Sequence, residues 1–238
     1  MTRRALLVGN SDGIGLALTD RLLAGGWAVT GLSRSPLERP DFGRDYRHVT
    51  LDVNDESFRK TLSGLWDERG PFDLVVHLVG VGSGLEDDAD LSGEAHTVRT
   101  NLVSLVELVE ELLPRMTARD AGHLMGLSSI ADRLLVPDAP SYVASKAAYT
   151  SYLRSTAARL GRSGVAVTNV RFGFVDTKLV QAQATPMMVD TERAARVIER
   201  AIQARPHEVT YPRTMGLLVR ALRRVQDAGT MVRDLFPR

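Results

Sequence analysis

The chain has 238 residues, of which 30 are Lys or Arg and 29 are Asp or Glu, for a net charge of +1. This near balance argues against binding nucleic acid by covering phosphates with cations, which needs a marked basic excess. The absence of cysteine excludes a disulfide framework, a thiolate metal site and a cysteine nucleophile, and no metal site is expected.

In chain order, short apolar or β-branched runs alternate with helical patterns. The runs are Ala5–Val8, Ala28–Leu32, His48–Leu51, Leu74–Val79, His123–Leu127, Val165–Val170 and Val209–Tyr211. Strands that are apolar almost throughout are buried on both faces, as in a parallel sheet between helical layers. Ile14, Leu18 and Leu22 mark the first helix, ended by Gly25-Gly26, and Phe58, Leu62 and Leu65 mark the next. Val98 to Leu112 keeps helical spacing before Pro114. Tyr142 to Leu160 holds no Pro or Gly, and Ala194, Val197, Ile198 and Ala201 form a late amphipathic helix capped by Asp190. The pattern predicts one α/β domain over residues 1–238, a doubly wound Rossmann-type fold on a seven-stranded, mostly parallel sheet.

The longest runs without Asp, Glu, Lys or Arg, Leu22–Ser33 and Leu74–Leu85, hold 12 residues each, against the roughly 18 that a membrane span needs. The basic-then-apolar start is cut short at Gly9, so no signal peptide is read. A soluble, cytoplasmic chain is expected.

Two motifs carry chemistry. Val8 runs into Gly9-Asn-Ser-Asp-Gly13-Ile-Gly15, where a helix begins. Glycines there permit a tight strand-to-helix turn and close backbone approach, and the helix N-terminus offers N–H groups to a pyrophosphate. The spacing is Gly-x-x-x-Gly-x-Gly rather than the commoner Gly-x-Gly-x-x-Gly, so the turn alone is weak evidence. Further on, Tyr142-Val-Ala-Ser-Lys146 places a phenol and an ammonium one helical turn apart on one face. A cation there is expected to lower the tyrosine pKa and make it a usable proton donor and acceptor. Only Lys60, Lys146 and Lys178 are lysines in a chain with 27 arginines, so the pair is informative. Ser128-Ser129, at the end of the fifth apolar run, can project a hydroxyl to the same edge.

On these residues the chain resembles the short-chain dehydrogenase/reductase family from about Arg4 to about Thr177. The resemblance implies a catalytic tetrad of Asn101, Ser129, Tyr142 and Lys146, with Asn101 supporting a proton-relay water. It implies cofactor contacts from Gly9, Ser11, Asp12, Gly13, Ile14 and Gly15 in the turn, and from Asp52 and Val53 at the adenine. Gly80, Tyr142, Lys146, Gly173, Val175 and Thr177 complete the set near the nicotinamide and its ribose. It also implies a homodimer or homotetramer through the helices bearing Asn101 and Tyr142. Two departures stand out. His77-Leu78-Val79-Gly80 replaces the family's Asn-Asn-Ala-Gly, with His77 read as a satisfied core residue and Val79 as crowding the ribose. Phe172 stands where the family has proline before Gly173.

The stretch after the second apolar run, Gly31-Leu-Ser33-Arg34-Ser35, has no acid for a ribose 2′-hydroxyl. Arg34 can pair a 2′-phosphate with Ser33 as a neutral donor, so NADP is preferred over NAD, although Asp12 opposes a phosphate. The expected reaction moves a hydride between NADP(H) and a carbonyl or secondary alcohol, with a small-molecule substrate and no nucleic-acid partner. The alternative is a non-catalytic NAD(P)-binding sensor on the same fold. Val81–Gly84, Leu134–Val136 and a short lid over residues 178–190 are expected to wall the substrate. Residues 191–238 carry ten arginines and five acids, and Met215–Val225 reads as a basic amphipathic helix packed on the sheet or on another subunit.

Overall fold

The computed structural model describes residues 2–37, 39–82, 92–177 and 187–235. Seven strands appear: β1 (Arg4–Val8), β2 (Ala28–Ser33), β3 (Tyr46–Thr50), β4 (Leu74–His77), β5 (Gly122–Ser129), β6 (Val165–Phe172) and β7 (Glu208–Tyr211). Helices α1 (Gly13–Ala24), α2 (Phe58–Arg69), α3 (Glu94–Val98), α4 (Ser104–Ala118), α5 (Pro140–Leu160), α6 (Thr191–Ala204) and α7 (Arg213–Leu235) connect or follow them. The strands form one sheet in the order β3-β2-β1-β4-β5-β6-β7, and every neighbouring pair is parallel. Strand order reverses between β1 and β4, which opens a crevice at their carboxyl ends.

Alternate side chains of each strand feed opposite layers, which is why the runs are apolar throughout. Ala5 and Leu7 join Leu18, Leu22, Ala194 and Ile198 under α1 and α6. Leu6 and Val8 join Phe58, Leu62, Leu105, Leu108 and Leu153 under α2, α4 and α5. Helix ends follow local chemistry. Pro140 opens α5, and the Asp190 carboxylate accepts the Arg193 N–H at 2.6 Å to cap α6.

The elements differ from the sequence reading in several places, β3 among them, which runs Tyr46–Thr50 rather than His48–Leu51. β4 stops at His77 rather than Val79: Leu78 N–H still donates to Val8 O at 2.8 Å, and the chain then leaves the sheet. β5 and β6 outrun their apolar cores, because backbone pairing continues through Ser128–Arg171 and Ser129–Phe172. α4 does not end at Pro114. Leu112 and Met116 are buried on either side of it, while Pro114 lies on the exposed face with Glu110, whose carbonyl the proline leaves without its helical donor. The stretch Arg99–Val103 before α4 is a π-helical turn. Met215 and Val219 of α7 pack on Ile130 and Leu134, so the basic segment is a helix docked beside the 130–133 turn. Residues 178–186 of the expected lid, and Ser83 and Gly84 of the expected wall, lie outside the described residues. No helix among the described residues is long and apolar enough to cross a membrane.

Candidate active site

The turn between β1 and α1 is built on glycines in conformations closed to other residues. Gly9 and Gly13 have φ of 94° and 52°, and a Cβ on Gly15 would stand 2.2 Å from the Gly9 carbonyl oxygen. Asp12 caps α1, its carboxylate accepting the Gly13 N–H at 2.7 Å. Beneath the turn, the buried Asn10 amide donates to the Tyr46 hydroxyl at 2.8 Å. Tyr46 and His48 Nδ1 are 2.8 Å apart, and His48 Nε2 is 3.0 Å from Ser35 O. A carbonyl can only accept, so Nε2 carries the proton and Nδ1 accepts the Tyr46 hydroxyl. This chain ties the glycine turn to the loop after β2.

At the carboxyl end of β5, Ser129 Oγ accepts the Ala131 N–H at 3.1 Å, which leaves its own proton free to donate. Tyr142 faces it from α5. Burial pushes the Tyr142 phenol above its usual range, while the hydrogen bond with Ser129 pulls it back and the Asp132 charge adds to the rise. A Cβ on Gly82 would come within 2.7 Å of the Tyr142 ring, so this stretch must be backbone alone. Lys146 Nζ donates to Leu127 O at 3.1 Å and lies 5.9 Å from the Tyr142 ring centroid. Burial pushes the ammonium down to about 8. The expected lowering of Tyr142 by the lysine is therefore corrected: desolvation dominates, and the free phenol holds its proton more tightly than in water.

His77 is fully buried and bridges α4 and α5. Ser104 Oγ donates to Thr100 O at 2.6 Å and so accepts from His77 Nε2 at 2.9 Å, and the Tyr149 hydroxyl meets Nδ1 at 3.1 Å. Burial first, and the Lys146 cation second, push its imidazole down to about 3. It is a neutral core bridge, as read. Phe172 extends the β6 ladder opposite Tyr211 and meets that ring edge-on, with centroids 6.5 Å apart. Asn101 is fully buried and does not line the cavity. Its amide clamps the Val81 peptide, accepting from the N–H and donating to the carbonyl at 2.8 Å each, with a further bond to Ser145 Oγ at 3.0 Å.

Ser129 and all of the residues expected at the cofactor line one cavity of about 850 Å³. It follows the carboxyl edge of the sheet, from Asp52 and Val53 after β3, past Ser33, Arg34 and the glycine turn, to Tyr142, Lys146 and Gly173–Thr177. Arg34 is exposed at its rim, with no ion-pair partner among the described residues. Ser33 does not offer the donor expected of it, because its hydroxyl is spent on Ser35 O at 2.8 Å. Asp52 Oδ1 accepts from the Asn54 N–H and side-chain amide at 2.9 and 3.0 Å.

Sequence reasoning missed Asn54 and the α7 residues Met215, Leu218, Val219 and Leu222, all of which line the same cavity, as does Ser128 of the Ser128-Ser129 pair. For α7 a signal existed, an apolar stripe at positions i, i+3, i+4 and i+7, but such a stripe does not say what it faces. Ser128 Oγ is buried and has no hydrogen-bond partner among the described residues, so a polar atom in the cavity is wanted there. With the backbone-only turn at the switch point, this orphan hydroxyl fits a bound dinucleotide.

Sheet order and glycine turn define a Rossmann-type α/β protein. The model of the short chain dehydrogenase family matches residues 3–187, and the chain belongs to that family. A probable NADP-dependent dehydrogenase of Haemophilus influenzae is 29% identical over 215 residues, covering 87% of this chain and 84% of the relative. An uncharacterized oxidoreductase of Myxococcus xanthus is 30% identical over 222 residues, or 88% of this chain and 87% of its own. A short chain dehydrogenase of Burkholderia cenocepacia, solved in complex with NADP, has a TM-score of 0.83 at 20% identity, covering 99% of this chain and 98% of the other. At that identity the structural likeness speaks for the fold.

Proposed function

We propose that the protein is an oxidoreductase that moves a hydride between NADP(H) and a carbonyl compound or secondary alcohol, with Tyr142 as general acid and base. The observation that carries this reading is the meeting of Ser129, Tyr142 and Lys146 in the cavity that also holds the glycine turn. The names of the Haemophilus and Burkholderia proteins support NADP as the cofactor. The turn and the first amides of α1 would hold the pyrophosphate, Asp52 and Val53 the adenosine, Lys146 the nicotinamide ribose, and Gly173 to Thr177 the nicotinamide.

When bound, the nicotinamide supplies the hydride chemistry. The chain's own residues do the rest. With a carbonyl oxygen in place, Ser129 and Tyr142 would both donate to it as it gains charge on becoming an alkoxide. Tyr142 then gives up its proton, and the desolvated cation of Lys146 stabilises the phenolate left behind. In the alcohol-oxidising direction the same phenolate takes the proton back. Asn101 is a positioning residue that holds Val81 and keeps the Gly82 backbone against the Tyr142 ring.

Tyr142→Phe is expected to cut turnover by about 10²-fold or more, while NADPH binding, followed by nicotinamide fluorescence, persists. Near-normal turnover in that variant would remove Tyr142 from the mechanism.

A further inference from the structure

The two ends of the cavity differ in chemistry. The charged side chains that line it at the β1–β3 end are Asp12, Arg34 and Asp52, all on the cofactor side. Beyond Lys146, toward β6 and β7, the described lining includes Ile130, Leu134, Phe174, Leu218 and Leu222, with no charged side chain among the described residues there. A substrate with a carboxylate or phosphate near its carbonyl would lose water at this end and gain no counter-ion from the described residues, a large cost.

The wall is built, and not a helix lying loosely on the surface. Met215 and Val219 are buried against Ile130 and Leu134, which follow the Ser129 strand end directly. Gln226 grips the Leu135 peptide from both sides, accepting its N–H and donating to its carbonyl at 3.2 Å each. Arg223 adds a bond to Arg133 O at 3.3 Å. On the helix so fixed, Leu218 and Leu222 are one turn apart and line the cavity while still 51% and 47% exposed. Phe174, 42% exposed, also lines it. Half-exposed large apolar side chains inside a cavity that starts at a reactive centre mark a groove for an apolar ligand.

Resting on the reading of the site as a carbonyl reductase, we infer that the substrate is an uncharged carbonyl compound carrying an extended apolar chain, laid along α7 between Leu134 and the Leu218–Leu222 stripe. α7 is then the specificity element.

The test is a homologous series of 2-alkanones and unbranched aldehydes with NADPH, alongside binding of the corresponding 2-alkanols to the NADP⁺-loaded protein by thermal shift. kcat/KM and apparent alkanol affinity should rise about three- to four-fold per added methylene until the groove is filled. Leu222→Glu and Leu218→Glu, both at half-exposed positions that tolerate a polar group in folding, should flatten both series, with NADPH affinity as the control for an intact fold. A flat alkanol series in the wild type overturns the groove even if carbonyls are reduced. A rising alkanol series without turnover of any carbonyl keeps the groove and defeats the reductase reading instead. If the substitutions leave both series unchanged but alter the mass of the protein in solution, the stripe is a contact between copies of the chain and the inference fails.

Discussion

Lys146 and Tyr142 sit one turn apart on α5, and burial acts on both in the same sense, favouring the neutral form of each. For the lysine this has a stability consequence. The unfolded chain keeps its proton up to about 10.5, whereas the folded protein releases it at about 8. Between those values the unfolded state binds more protons, so stability rises with pH across the window. Below it, the folded protein carries a cost on the order of 3 kcal/mol. Lys146→Met, which also forfeits the bond to Leu127 O, should stabilise the cofactor-free protein by about 1–2 kcal/mol at pH 7. The gain should vanish as pH approaches 10.5, and thermal melts at several pH values would follow it. A variant less stable than wild type at pH 7 would show that the ammonium is better solvated than its burial implies. Arg34 makes a second prediction at this scale. As an exposed cation without an ion-pair partner among the described residues, it should serve the 2′-phosphate, so Arg34→Ala should raise KM for NADPH about ten-fold and leave NADH nearly unaffected. Equal loss with both cofactors would remove that role.

Between elements, the most buried ion pair among the described residues joins Arg171 on β6 to Asp132 in the turn after β5. Their side chains are only 2% and 1% exposed. Arg171 Nε donates to Asp132 Oδ2 at 2.8 Å, and Thr150 of α5 donates to the same oxygen at 2.7 Å. The pair thus joins the Ser129 turn to the helix bearing Tyr142. Asp132→Asn should destabilise the fold by roughly 3 kcal/mol, because the buried guanidinium keeps only Glu208, 3.5 Å from its Nη1, as a carboxylate partner. Replacing both partners by apolar residues should recover much of that, as urea titration would show, and a cost no larger than that of a surface pair would mean that water reaches the site. This pair was invisible in the sequence, where Arg171 is one arginine among 27 and its partner lies 39 positions away. The strands were legible because continuous burial leaves continuous apolar runs, and the glycine turn because backbone sterics demand those residues. The Tyr142–Lys146 pair was legible because helical spacing is local. What stayed hidden depends on contacts between distant segments: the amide of Asn101 around Val81, the orphan hydroxyl of Ser128, and α7 along the cavity. Pro114 misled for the reverse reason, since packing of Leu112 and Met116 outweighed a local helix breaker.

At the scale of the whole molecule, the balanced net charge conceals a division, since residues 191–238 hold ten arginines against five acids. Two of the five acids are already engaged by arginines of the body, which leaves the excess uncovered: Arg154 of α5 pairs with Glu208 of β7 at 2.7 Å, and Arg21 of α1 with Glu199 of α6 at 2.5 Å. Acid is the condition to which the fold should be most sensitive. His77 and His123 are buried and neutral, with burial pushing them down to about 3 and about 4. Unfolded histidines take up protons near 6.5, so as pH falls from there toward 4 the unfolded state binds more protons and stability drops. Each contributes up to about 1.4 kcal/mol per pH unit. His77→Asn should flatten part of that decline in thermal melts, and an unchanged slope would contradict the assignment. Nicotinamide absorbance tests most directly whether this cavity performs hydride transfer to a carbonyl. Wild-type protein with NADPH and a broad panel of uncharged ketones and aldehydes should oxidise the cofactor with at least one of them. Tight NADPH binding with no oxidation across the whole panel would contradict the account and make the protein a dinucleotide sensor.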